Sequence, residues 1–209
     1  MSYSVKEIYY TLQGEGAQSG RAAVFLRFAG CNLWTGLERD RATAVCRFCD
    51  TQFVGTDGPD GGKFSTASEL ALAVAQQWPV GGRPYVVCTG GEPLLQLDDD
   101  AISALHSQGF EVGVETNGTQ VPPRGLDWIC VSPKAEADLV LKSGNELKLI
   151  YPQAGAEPER YADLAFDHFF LQPMDSAERE ANTQAAIRYC LANPKWRLSL
   201  QIHKLIGIP

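Results

Sequence analysis

Short β-branched and apolar runs recur along the chain with helical patterns between them, and this alternation restricts the fold more than any other feature. The runs are Ala22 to Phe28, Tyr85 to Thr89, Glu111 to Glu115, Trp128 to Ser132, Glu146 to Ile150, His168 to Gln172 and Leu198 to Ile202. Near-continuous apolar character marks strands covered on both faces, as in a parallel sheet. One helix opens at Ser65 or Thr66 and runs through "ASELALAVAQQW". A second opens in "DDDAISALHSQG" and stops at Gly109, and a third spans Ala177 to Leu191 ahead of Asn193 and Pro194. Asp98, Asp99 and Asp100 complement the positive end of the second helix. Strands alternating with helices predict an α/β fold of βα units around a mostly parallel sheet. The 209 residues suit one domain, 1–209.

Composition narrows the function. With 44% hydrophobic and 21% charged residues the chain reads as an ordinary globule. No run approaches the roughly 18 apolar residues of a membrane span, and "MSYSVKEIYY" lacks the regions of a signal peptide. A cytoplasmic protein without membrane contact is expected, with its thiols reduced. The net charge of -7 argues against a nucleic-acid partner, which calls for clustered Lys and Arg. A small molecule or a protein is the expected partner.

Polar, turn-forming residues gather just past the strand ends: Gly30 to Cys31, "TGGEP" (89 to 93), "ETNG" (115 to 118), "SPK" (132 to 134), "QPMD" (172 to 175) and "HK" (203 to 204). In a barrel or open α/β sheet that rim is where binding sites are built. Three of the six cysteines fall in the first of these regions, at Cys31, Cys46 and Cys49, spaced C-x14-C-x2-C. A structural zinc site wants four ligands, and no histidine stands ready to complete one: His106 lies on a helix, His168 begins a strand at the opposite end, and His203 is remote. Three thiolates suit a [4Fe-4S] cluster whose fourth iron is open to another ligand. Cys88, Cys130 and Cys190 lie in apolar runs and read as core residues.

Cys31, Cys46 and Cys49, followed by "TGGEP", resemble the radical S-adenosylmethionine superfamily. That superfamily usually spaces its cysteines C-x3-C-x2-C, so residues 32–45 form an enlarged insertion within the cluster loop 31–49. "YTLQGEG", "RFAGC", "CDT", "ETNG", "SPK", "ELK" and "QPMD" together resemble one family more closely, the 7-carboxy-7-deazaguanine synthases of queuosine and 7-deazapurine biosynthesis, some of which share the wider spacing. The resemblance implies a radical SAM core: a partial, open TIM-like barrel of mostly parallel strands with outer helices.

It also implies a chemistry and a set of residues. The enzyme would be a lyase that converts 6-carboxy-5,6,7,8-tetrahydropterin to 7-carboxy-7-deazaguanine with loss of ammonia, through a 5'-deoxyadenosyl radical and ring contraction. Its cofactors would be the [4Fe-4S] cluster on Cys31, Cys46 and Cys49, S-adenosyl-L-methionine and Mg2+, the last taken by the hydroxyl of Thr51. S-adenosylmethionine would lie against Phe48, Gly90, Gly91, Glu92, Ser132, Lys134, Gln172, Pro173, Met174 and Asp175. Glu92 would accept from its ammonium group. The pterin would be met by Leu12, Gln13, Gly14, Glu15, Arg27, Thr89, Glu115, Asn117, His203 and Pro209. Of these, Glu15, Arg27, Glu115 and His203 are the candidate catalytic residues. Gln13, Glu15 and Glu115 offer acceptors to the amino-pyrimidine edge, and Arg27 a charge-assisted pair for the carboxylate. A structural ion pair within its strand is the alternative for Arg27. A carboxylate at Pro209 would fold over the amino edge.

Two other readings accompany this one. An activase that makes a glycyl radical on a partner protein would share the cysteines and "TGGEP", and a zinc-stapled binding module would share the cysteines alone. For the synthase, the expected partners are a flavodoxin- or ferredoxin-type electron donor and a second copy of the chain, since a short barrel leaves a sheet edge to be covered.

Overall fold

The structure, a computed structural model, describes residues 2–79 and 81–209. One nine-stranded sheet runs through it, built of β1 (Tyr3–Leu12), β2 (Ala22–Phe28), β3 (Gly62–Phe64), β4 (Tyr85–Gly90), β5 (Glu111–Thr116), β6 (Trp128–Val131), β7 (Ser143–Tyr151), β8 (Ala165–Pro173) and β9 (Trp196–Leu198). The order is β3-β1-β2-β4-β5-β6-β7-β8-β9. From β2 to β9 every neighbouring pair is parallel, and β1 runs antiparallel to both β2 and β3. The two short end strands do not pair with each other, so the sheet is an open, partial barrel.

The helices are α1 (Ala67–Gln77), α2 (Asp99–Ser107), α3 (Arg179–Ala192) and the short α4 (Ile202–Ile206). Each of the first two begins where a side chain satisfies a free backbone donor: Thr66 accepts from the Glu69 amide, and Asp98 from the Ala101 amide. Asp98 is thus the cap itself, with Asp99 and Asp100 in the first turn. Leu70 and Val74 of α1 and Ile102 and Leu105 of α2 pack against Val24, Leu26, Val86, Val112 and Val114 of the sheet, all fully buried. Burying one such side chain contributes about 1.5–3 kcal/mol.

Three segments depart from the sequence reading, the first being the three-residue β3, too short to show a pattern. β1 escapes it because a bulge between Val5 and Glu7 interrupts the alternation of its side chains. At the other end, the strand expected over Leu198 to Ile202 is displaced: β9 covers Trp196–Leu198, and the chain then turns into α4. Ser199 still pairs with the Leu171 carbonyl, but the backbone amide of Ile202 leaves the sheet and donates to the Gly14 carbonyl. That bond carries α4 across the C-terminal rim of the strands.

Candidate active site

The rim encloses a cavity of about 410 Å³. It is walled by the ends of β2 and β4 through β8, by the segment after β1, by the cluster loop and by α4. All but one of the residues singled out from the sequence border it. Cys31, Cys46, Cys49, Phe48 and Thr51 line it together with Gly90, Gly91, Ser132, Lys134, Gln172, Pro173, Met174 and Asp175. Leu12, Gln13, Gly14, Glu15, Arg27, Thr89, Glu115, Asn117, His203 and Pro209 line the same cavity.

Two glycines make this crowding feasible. A Cβ on Gly91 would overlap the Gly30 carbonyl oxygen and the Cys31 side chain, so "GG" lets the end of β4 lie directly on the cysteine loop. A Cβ on Gly14 would overlap the imidazole of His203, so this glycine admits α4.

Glu92 is the exception among the expected site residues. It is fully buried and does not line the cavity. Its carboxylate accepts from the Leu94 amide at 3.0 Å, the Thr116 hydroxyl at 2.7 Å and the Asn117 amide at 2.8 Å. Burial pushes its pKa up while these donors oppose the shift. A carboxylate held this way fastens the turn after β4 to the end of β5.

The three cluster-loop thiols are free of disulfides. The insertion between them folds on a small core of its own, with Trp34 edge-on to Phe53 and with Cys31 and Cys49 packed beside them. Arg41 lies 4.1 Å from the Trp34 ring centre and donates to the carbonyls of Arg47 and Cys49 at 2.9 and 3.0 Å. It braces the turn that carries the last two cysteines. Among the described residues, no three His, Cys, Asp or Glu side chains close on one point as ligands of a single ion would. Cys46 and Cys49 lie within hydrogen-bonding reach of each other with Cys31 close by, and three such soft sulfur donors on one cavity suit an iron-sulfide cubane.

Nearby, the Lys134 ammonium donates to the Ser132 carbonyl and hydroxyl at 2.6 and 2.8 Å. Burial lowers the pKa of this lysine. Also bordering the cavity, Arg27 pairs through Nε with Glu7 and donates through Nη2 to the Tyr9 hydroxyl, at 2.8 and 2.9 Å. That meets the expectation of a structural ion pair, yet only two of its five N–H donors are used there, and the side chain borders the cavity.

The floor holds a residue to which the sequence reading gave no role, Lys148. Its ammonium lies 2.5 Å from Glu15 Oε2 and 3.0 Å from Glu115 Oε2. Burial alone would lower its pKa, but Cys130, Glu115, Glu15 and Glu146 surround it and hold it well above the ordinary value. For Glu15, burial raises the pKa and Lys148 reverses the shift, leaving it lowered. Gln13 donates to Glu115 Oε1 at 2.7 Å and Gln201 to Glu15 Oε1 at 3.1 Å. The signal was "ELK" in β7, visible as a motif without a task.

Over the mouth, Lys204 of α4 makes 2.6 Å ion pairs with both Asp50 and Asp175. The Thr11 hydroxyl donates to the Pro209 carbonyl at 3.0 Å, which holds the last residues against β1.

An open barrel whose strand ends enclose three thiols beside a glycine turn matches what the resemblance to radical S-adenosylmethionine enzymes led one to expect. No protein-family model matches the chain. Its curated relatives are closer. It is 65% identical to the 7-carboxy-7-deazaguanine synthase of Caulobacter vibrioides over 210 residues, covering the whole of both chains. It is likewise 65% identical to that of Bordetella pertussis over 212 residues, again covering both fully. The crystal structure of QueE from Escherichia coli superposes with a TM-score of 0.73 at 29% identity, covering 97% of this chain and 95% of that one. The chain belongs to the 7-carboxy-7-deazaguanine synthase family. This assignment favours the synthase over the activase and the zinc module.

Proposed function

We propose that the protein converts 6-carboxy-5,6,7,8-tetrahydropterin to 7-carboxy-7-deazaguanine and ammonia, in the formation of 7-deazapurines. The observation that carries this reading is one cavity lined at once by three thiols, by carboxylates and by an arginine. Cys31, Cys46 and Cys49 would hold a [4Fe-4S] cluster. Phe48, Ser132, Lys134 and residues Gln172 to Asp175 would hold S-adenosylmethionine. When bound, this pair supplies the one-electron chemistry that takes a hydrogen from the substrate.

The chain's own residues position the substrate and keep water out. Glu15 and Glu115 accept from the amino-pyrimidine edge, and that pairing discriminates strongly because buried acceptors without a donor are costly. Arg27 meets the carboxylate with its remaining N–H groups, and His203 covers the pocket from α4. Mg2+ would be held at the Thr51 hydroxyl on the cavity wall and would supply positive charge for the substrate carboxylate. A carboxylate at Pro209 would accept from the same amino edge, with Leu12, Gly14, Thr89 and Asn117 closing the walls. A flavodoxin- or ferredoxin-type donor, a homodimer across an open sheet edge and a cytoplasmic setting complete the proposal. No helix among the described residues is long and apolar enough to cross a membrane.

The test is anaerobic incubation with S-adenosylmethionine, a reductant, magnesium and the tetrahydropterin, followed by mass analysis. The deazaguanine acid should appear with one equivalent of ammonia. Recovery of unchanged pterin from protein with a full iron-sulfur spectrum would overturn the reading. Replacing Cys31, Cys46 or Cys49 by Ala should remove that spectrum.

A further inference from the structure

Lys148 stands between Leu147 and Leu149, both fully buried against the helices. Successive side chains of a strand face opposite ways, so the two leucines face the outer core and Lys148 faces the barrel interior. Only 3% of it is exposed. Withdrawing an ammonium from water costs several kcal/mol unless partners compensate. Its partners come from separate segments, Glu15 from the turn after β1 and Glu115 from the end of β5. Glu146 lies on the same face of β7, where it accepts from the Ala17 amide at 2.8 Å.

A count of lone pairs gives this arrangement its meaning. Glu15 receives Lys148 on Oε2 and Gln201 on Oε1; Glu115 receives Lys148 on Oε2 and Gln13 on Oε1. Each oxygen can accept one more hydrogen bond, and both side chains border the cavity. Without the ammonium, two carboxylates would face each other across a buried floor. Like charges so placed drive one to take up a proton, and it then ceases to be a pure acceptor.

We propose that Lys148 is a positioning residue for substrate recognition: by fixing one oxygen each of Glu15 and Glu115, it presents their free lone pairs as a paired acceptor for the N–H donors of a 2-amino-4-oxopyrimidine edge. This deepens the proposed function and rests on it. The floor with Lys148 in place carries one excess negative charge over its two carboxylates and one ammonium, which suits a ligand edge that only donates there.

The test uses anaerobically prepared holoenzyme of the parent and of Lys148→Met. KM for the tetrahydropterin should rise about 10- to 100-fold, the loss of one or two hydrogen bonds to charged groups. The half-saturation for S-adenosylmethionine and the iron content should stay within about two-fold, a split that general unfolding would not produce. The double variant Lys148→Met/Glu115→Gln removes the stranded charge. It should regain much of the parent's melting temperature while its pterin KM stays raised, and it decides the matter where the single variant does not fold. A parental pterin KM in either variant overturns the proposal, as does an equal loss of affinity for S-adenosylmethionine. Failure of the parent to turn over the pterin would instead overturn the function on which the proposal rests.

Discussion

The cavity contains the same device at two depths, a lysine bridging two carboxylates. At the floor, the Lys148 side chain is 4% exposed between Glu15 and Glu115 at 13% and 24%. At the mouth, Lys204 is 32% exposed between Asp50 and Asp175 at 41% and 31%. The distances are alike and the surroundings are not. Water beside Lys204 screens its pairs and solvates whatever a rupture leaves behind. Beside Lys148 there is little water, so the pairs are strong only while all three members remain. Depth therefore divides the two: the floor's pairs cannot lose a member without stranding charge, whereas the mouth's pairs can be lost at little cost.

The comparison can be broken most directly at the floor. Lys148→Met should lower the free energy of unfolding by about 3–5 kcal/mol, because it strands buried carboxylates. A urea titration showing a loss below about 1 kcal/mol, the range of exposed pairs, would erase the distinction. Next in size is Gly14→Ala, which drives a methyl group into His203 and lifts α4 from the rim. Overpacking of this kind costs about 1–3 kcal/mol, and limited proteolysis should cut the α4 segment sooner than in the parent.

Lys204→Ala should cost no more than about 1 kcal/mol. Its deficit in melting temperature should shrink as salt rises toward about 1 M, where screening acts over roughly 3 Å. A salt-independent loss as large as that of Lys148→Met would put the two lysines in one class. The smallest effect is expected at the far end of the barrel. There the Arg21 guanidinium beside Glu111, at 2.8 Å, holds the Glu111 carboxyl below its usual value of 4.5. A lowered pKa adds stability above that value and loses it as pH falls through the folded-state pKa. The gap between parent and Glu111→Gln should therefore be full at pH 7 and close in acid; a gap that widens there would contradict the sign.

The outer faces of the barrel were easier to read from sequence than its interior. β2, β4 and β5 lie within a residue of their expected limits, because strands covered on both sides spell themselves out in unbroken apolar letters. β1 carries a bulge and pairs antiparallel with both β2 and the short edge strand β3, so its letters mix. Most of the candidate site was visible because its residues follow strand ends in short polar clusters. Lys148 was not, since a lone charge inside a strand resembles a solvent-facing residue until the sheet curls round it. Glu92 illustrates the opposite difficulty: a glutamate in a glycine turn suggests a ligand contact, and only the tertiary structure shows that it also fastens to Thr116 and Asn117.

The small core of Trp34, Ala44 and Phe53 stands apart from the main one. The loop that bears the thiols thus has side-chain packing of its own beside the larger core. Truncating Trp34 or Phe53 should therefore disturb the three sulfur atoms before it disturbs the scaffold's interior.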